Sequence, residues 1–392
     1  MIPTLREAFN RQFTVEKYQR FLQTLDEAVG MKIDFRVCES PIFLPEELQN
    51  DLQRAAVDLV QQLMAPAYLE ESRRAVPGQF RVPNDDAHPV FLAVDFAITL
   101  DVEGRFEPKL IELQGFPSLY AFQMVLAQTY RRCFGLERLR FLLNGLAEAD
   151  YLRMFKQAVI GKYDPENVIL MEIEPEKQKT APDFYCTERF IGVKPVCITA
   201  IKKRGRKLYY SHRGNEIPIH RIYNRVIVDE FIKKGVTCDF DFRDDLDVEW
   251  AGHPNWYFRM SKFSLPYLDH PAAPKAVFLH RLERYPENLS NYVLKPLFSF
   301  AGAGVLIDPT AADLEAIPKH ERQNYLLQEK IVYGPVIQTP NEPSKVEVRL
   351  MFLWNESLVP VNTLARLSKG KMMGVDHNKN KDWVGASACL FE

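Results

Sequence analysis

The chain has 392 residues, more than one ordinary domain holds, so it divides into two or three packed units. Hydrophobic residues make up 46% and charged ones 26%, with 26 Phe, 16 Tyr and 4 Trp, which excludes a disordered chain. Lys and Arg number 50 against 52 Asp and Glu; a net charge of −2 excludes global attraction to nucleic acid or anionic membrane, so any partner is recognised locally.

The amino-terminal MIPTLREAFNRQF carries charges at amphipathic spacing and no apolar core of signal-peptide length, so no export signal is expected. Residues 1 to 75 read mostly as helix, with apolar residues three and four apart in TVEKYQRFLQTLDEAV and PEELQNDLQRAAVDLVQQLM. From Phe91 the pattern turns to strand: FLAVDFAITLDV, a turn at Glu103-Gly104-Arg105, then PKLIELQGF. The apolar stretch Val90 to Val102 is cut by Asp95 and Asp101 and falls short of the ~20 residues a membrane span needs, so no span is expected. Residues 119 to 158 return to helix, and 166 to 240 alternate short strands (NVILMEI, KPVCITAI, KLYYS, HRIYNRVIV) with polar connections. From Pro254 come YVLKP, GVLID, YLLQEKI, EVRLMFLW and SLVPVNTLARL, then a turn-rich tail. The expected division is 1–160, a helical region plus an acid-bearing hairpin; 161–253, an α/β insert; and 254–392, a third part. Six single cysteines without CxxC or ligand spacing argue against zinc or disulfides and for a reduced cytoplasm.

KKRGRK, Lys202 to Lys207, reads as a solvated hairpin tip centred on Gly205 rather than a nucleic-acid contact. In YVLKPLFSFAGAGVLIDP a strand delivers Lys295 to a loop with Gly302 and Gly304, which can fold over phosphates because glycine lets backbone amides approach closely. The alternative is an ordinary β-hairpin, since GxxxxGK[ST] is absent. In YLLQEKIV, Gln328, Glu329 and Lys330 end a strand whose main chain can meet an adenine edge, or they are solvated edge residues. Glu347 and Arg349 share one strand face and can hold a ribose and a phosphate, or form a surface ion pair. Asp95 interrupts an apolar strand and needs a partner if buried; with Glu112 and Gln114, two apart on the next strand, it makes an oxygen set suited to Mg²⁺.

Taken in order, D…E-x-Q on a hairpin, the lysine and glycine hairpin, QEKI, the E-x-R strand and NTLARLSK resemble the ATP-grasp superfamily. The acidic hairpin lies ahead of the lysine hairpin, as in the circularly permuted branch typified by eukaryotic glutathione synthetase. PKLIELQGFPS is similar to that enzyme's metal-binding stretch, and IYNR to an arginine strand of its substrate domain. The resemblance covers roughly Phe91 to Glu392. It implies an α+β and α/β ATP-grasp fold, with antiparallel sheets around a nucleotide cleft in permuted order and an inserted α/β substrate domain.

By that resemblance Lys262 and Lys295 contact ATP phosphates, with Ser299, Gly302 and Gly304 in the loop over them. Gln328, Glu329, Lys330 and Ile331 meet the adenine and Glu347 the ribose. Asp95, Glu112 and Gln114 hold Mg²⁺, Arg366 and Arg349 serve the reacting groups, and Arg225 and Ser118 bind substrate. Two departures stand out: Gln114 replaces an asparagine, and the glycine loop lacks a glutamate, with Ser299 the nearest polar replacement. EIEPEKQKTAPDF differs where substrate contacts are expected, so glutathione is not the expected product.

The expected activity is an ATP-dependent carboxylate–amine ligase passing through an acyl phosphate, with small-molecule carboxylate and amine substrates and neither nucleic acid nor membrane as partner. The alternative is a degenerate ATP-grasp protein that binds a nucleotide or metabolite without turnover. The amino-terminal helices offer a surface for a homodimer.

Overall fold

The computed structural model describes residues 1–298, 303–370, 373, 378 and 380–392. The first 71 residues are mainly helical: Pro3–Gln12 (α1), Val15–Val29 (α2), Glu46–Leu63 (α3) and Pro66–Glu71 (α4). Helix α2 starts where the Thr14 side chain accepts the Lys17 N–H and stops at Gly30, whose φ of 90° only glycine adopts without strain.

Strands follow at Ile42–Phe43 (β1), Phe91–Leu100 (β2), Phe106–Gln114 (β3), Val168–Glu172 (β4), Lys194–Cys197 (β5), Lys202–Arg204 (β6), Lys207–His212 (β7), Asn215–Ile219 (β8) and Arg221–Asn224 (β9). The remainder are Glu249–Ala251 (β10), Ala276–Phe278 (β11), Tyr292–Pro296 (β12), Leu306–Ile307 (β13), Tyr325–Glu329 (β14), Lys345–Trp354 (β15), Leu358–Ser368 (β16), Gly385–Ser387 (β17) and Cys389–Leu390 (β18). Helices Tyr120–Phe134 (α5), Glu148–Ile160 (α6), Ala181–Ile191 (α7) and Val228–Lys233 (α8) lie among them.

Five sheets result. The largest has the order β17-β16-β15-β2-β3, every neighbour antiparallel, so the early acid hairpin is completed by strands from the end of the chain. Alternation sends Leu92, Val94, Phe96 and Ile98 of β2 into one core cluster and Phe91 into another, with Tyr120 and Tyr130 of α5 and Phe155 of α6. The Phe91 face also bears Asp95, and on β15 it bears Glu347 and Arg349 beside Met351 and Leu353; it is apolar at one end and charged at the other. A second antiparallel sheet, β11-β14-β12-β13, pairs Lys295 with Leu326 and Val293 with Gln328, placing Lys295 and Gln328 on one face. The third, β10-β9-β4-β5, is wholly parallel, with the order reversing between β4 and β9.

The sequence reading of HRIYNRVIV as one strand is corrected: β9 ends at Asn224, whose side chain accepts the Val226 N–H, and Val228 opens α8 with Asp229 and Glu230 in its first turn. KKRGRK does form a hairpin tip, with Gly205 at φ 61°. Its charges are met by neighbouring acids: Lys202 with Asp239 at 3.1 Å, Lys203 with Asp244 at 2.6 Å, Arg204 with Glu216 at 2.6 Å and Arg206 with Asp247 at 2.8 Å. All six cysteines are free, and no described helix is long and apolar enough to cross a membrane.

Candidate functional site

Four strands of the large sheet, β16, β15, β2 and β3, bring the charged end together. Asp95 sits opposite Arg349 on one side and Glu112 on the other, while Glu347 sits opposite Arg366. Asp95 is 1% exposed and accepts from Arg349 at both oxygens, Nε to Oδ1 at 2.6 Å and Nη2 to Oδ2 at 2.7 Å. Arg366 Nη2 donates to the same Oδ2 at 3.0 Å and lies 3.0 Å from Glu347 Oε2. The other Glu347 oxygen accepts from the Tyr333 hydroxyl at 2.5 Å. Burial pushes the Asp95 carboxyl up, but the Arg349 and Arg366 guanidiniums outweigh it and hold the group below the usual range. Glu347 comes out raised, because burial outweighs Arg366 and the Tyr333 hydrogen bond.

Between Asp95 and Phe96 the β2–β3 register shifts: Asp95 faces Glu112 but Phe96 faces Leu110, leaving Ile111 as an extra residue. Such a bulge frees a carbonyl from the ladder. Here the Ile111 carbonyl accepts from Lys295 Nζ at 3.3 Å, and the same ammonium donates to Gln328 Oε1 at 2.5 Å. Lys295 is lowered to about 8, chiefly by burial and also by the charge of Lys262, with Glu112 and Glu347 opposing. Lys262 opens a short 3₁₀ turn after Ser261, whose side chain accepts from the Phe263 N–H. That turn is tied to β3 because the Gly115 N–H donates to the Met260 carbonyl, and Lys262 Nζ comes to 3.7 Å from Glu112 Oε2. Glu112 Oε1 accepts from the Gln114 amide at 2.5 Å. Gln328 is 1% exposed, and its Nε2 has no partner among the described residues. A buried donor without an acceptor costs ~1–3 kcal/mol, which a ligand acceptor would recover.

The sequence-derived nucleotide residues therefore divide. Lys262, Lys295, Gln328, Glu112 and Gln114 are brought together where the two antiparallel sheets meet. Glu329 turns outward, its carboxylate accepting from the Lys275 N–H at 3.2 Å, and Lys330 is engaged by Asp308 and the Ser290 carbonyl. Ile331 is half-buried beside the exposed Val332. Gly304 needs to be glycine: φ is 72°, and a Cβ would come within 2.9 Å of the Pro296 ring. Ser299 and Gly302 lie outside the described residues.

Arg225 is buried after β9 and paired with the fully buried Asp183 at 2.5 Å. The other Asp183 oxygen accepts the N–H groups of Ala121 and Phe122, both at 2.9 Å, capping α5 from α7. Ser118 lies in the turn before α5, next to Leu119, which is held at φ 61°. Residue reading missed Asp183, Tyr333 and Glu172. Glu172 ends β4 where the parallel sheet reverses its order, is 2% exposed, and is pushed up to about 8 by burial. Its signal was an acid ending an apolar strand. Tyr333 and Asp183 gave none, since their partners are distant in sequence. Among the described residues no group of three or more His, Cys, Asp or Glu is arranged to hold a metal.

No family model matches the chain, and no curated protein does. The mixed architecture of antiparallel sheets with a parallel insert is a glutathione synthetase-like fold. A solved structure that shares it is a glutathione synthetase-like effector from Globodera pallida in its apo form, with 12% sequence identity over 96% of this chain and 98% of that one and a TM-score of 0.60.

Proposed function

We propose that the protein is an ATP-dependent carboxylate–amine ligase of the circularly permuted ATP-grasp type. The observation that supports it most is that Lys295, Lys262 and the Gln328 Nε2, which has no partner among the described residues, lie together where two antiparallel sheets meet, a set of donors suited to a polyanion. Glu112 and Gln114 side by side offer one carboxylate and one amide oxygen, a small hard donor set that fits Mg²⁺ shared with phosphate oxygens. When bound, that ion would neutralise phosphate charge. The chain's own residues do the rest by positioning. Lys262 and Lys295 hold the phosphates while a substrate carboxylate oxygen attacks the γ-phosphorus and ADP departs. Arg366, two-fifths exposed, faces the negative charge of the acyl phosphate, and an amine then adds to the acyl carbon as phosphate leaves.

The test is hydroxylamine trapping with ATP, Mg²⁺ and a panel of carboxylates: hydroxamate and ADP should form together. No hydroxamate and no ADP across a broad panel refutes turnover.

One observation favours the second reading, a protein that binds nucleotide without turnover. Both oxygens of Asp95 are held by guanidiniums and Glu112 is bonded to Gln114, so the acids are already partly satisfied from within. Calorimetry separates the two, because ATP that binds but is never consumed belongs to the second.

A further inference from the structure

Five side chains form a continuous row across three adjacent strands and the segment after β14: Arg349, Asp95, Arg366, Glu347 and Tyr333. Their exposures differ sharply. The side chains of Arg349, Asp95 and Glu347 are 9%, 1% and 7% exposed, whereas Arg366 is 40% exposed. Arg366 is thus the most exposed of these four side chains, and a single nitrogen, Nη2, is gripped by two carboxylates at 3.0 Å each.

A free arginine side chain carries about 2 kcal/mol of rotamer entropy, which its substrate contact must overcome at each encounter. Two acids bonded to one Nη remove that freedom beforehand. Asp95 in turn cannot swing away, because Arg349 grips it bidentately from the neighbouring strand. A divalent cation on Asp95 would lie within contact range of two guanidiniums, and like charges a few ångströms apart repel strongly in a dry site. Glu112 lies on the same face but is engaged elsewhere, accepting from Gln114 and coming to 3.7 Å from Lys262.

We infer that Asp95 is a positioning residue that presents Arg366 to the substrate, and that cation binding falls to Glu112 and Gln114 without it. What Arg366 does once presented rests on the ligase reading; how it is held does not.

The test uses the full chain with Asp95→Asn. Because that change leaves Arg349 without its acid, a second variant, Asp95→Asn with Arg349→Met, removes one charge of each sign and leaves Arg366 with Glu347 as its one acidic partner. Three readouts apply: the Mg²⁺ concentration that half-saturates binding of a non-hydrolysable ATP analogue by calorimetry, the split between kcat and KM, and the ¹⁵N spectrum of the arginine guanidiniums, with Arg366 identified by Arg366→Lys. Loss of positioning should lower kcat by about tenfold or more while the KM for ATP moves less than about threefold. The Mg²⁺ requirement should stay unchanged in both Asp95 variants and rise in Glu112→Gln. The Arg366 N–H signals, slowed in their exchange by two acceptors, should broaden in both Asp95 variants. A Mg²⁺ requirement that rises in Asp95→Asn as it does in Glu112→Gln, or Arg366 signals unchanged by either variant, overturns the inference. If the wild-type protein neither turns over nor binds nucleotide, the ligase reading fails, and the Arg366 spectrum still decides how that side chain is held.

Discussion

Replacing Lys295 by Met separates what the lysine costs the fold from what it gives the site. Lys295 is 8% exposed and its pKa falls from 10.5 to about 8 on folding, with burial the main cause. A drop of that size corresponds to roughly 3 kcal/mol of destabilisation at pH 7. Between pH 8 and 10.5 the unfolded chain binds the extra proton, so the wild-type protein gains stability as pH rises through that window. The variant lacks this slope. Met also loses the hydrogen bonds to Gln328 and Ile111, which offsets ~1–3 kcal/mol of the gain at any one pH. The difference between the two proteins across pH is therefore the clean quantity. Urea unfolding of both at pH 7.0 and 9.5 should show the wild type catching up by about 2 kcal/mol, while calorimetry shows nucleotide binding lost in the variant. A stability difference independent of pH would refute the burial cost of the ammonium, and nucleotide binding that survives the substitution would refute its role in the site.

Glu172→Gln should act in the opposite sense: the carboxyl, raised to about 8 by burial, stabilises the fold below its ordinary value near 4.5 and loses that contribution as pH rises through 8. The variant should flatten that fall, worth roughly 5 kcal/mol over the range, and melting temperatures from pH 5 to 8.5 measure it. Gly385→Ala should destabilise by more than about 2 kcal/mol in urea, since φ is 114° and a Cβ would stand 2.4 Å from the Arg36 carbonyl oxygen. Glu112→Ala should abolish hydroxamate formation with the urea midpoint little changed, because Glu112 is at the surface of the site rather than in the core.

The strands that carry chemistry were legible because their patterns are local. YVLKP, YLLQE and the alternation that puts Glu347 and Arg349 on one face all stand where the residues place them. The need of Asp95 for a buried partner could also be read from its apolar flanks. The identity of that partner could not, since Arg349 lies 254 positions away and only strand register joins them. The bulge at Ile111 left only a weak trace, the adjacent apolar pair Leu110-Ile111, and it is the partner strand that shows one residue to be extra. Arg225, expected from its motif to bind substrate, is set against Asp183, an acid that reads as an ordinary first-turn residue of α7, so no sequence signal marked this pairing.

The pairing of β2 with β15 bears on how the molecule is made. As the chain leaves the ribosome, β2 and β3 emerge with one long apolar edge of β2 unpaired, and the strand that closes it arrives only after residue 345. Contacts of such separation slow folding and leave a template open to other chains meanwhile. Any product truncated between the two strands keeps that edge permanently open, so its fate is aggregation or capture by a chaperone rather than a stable half-molecule.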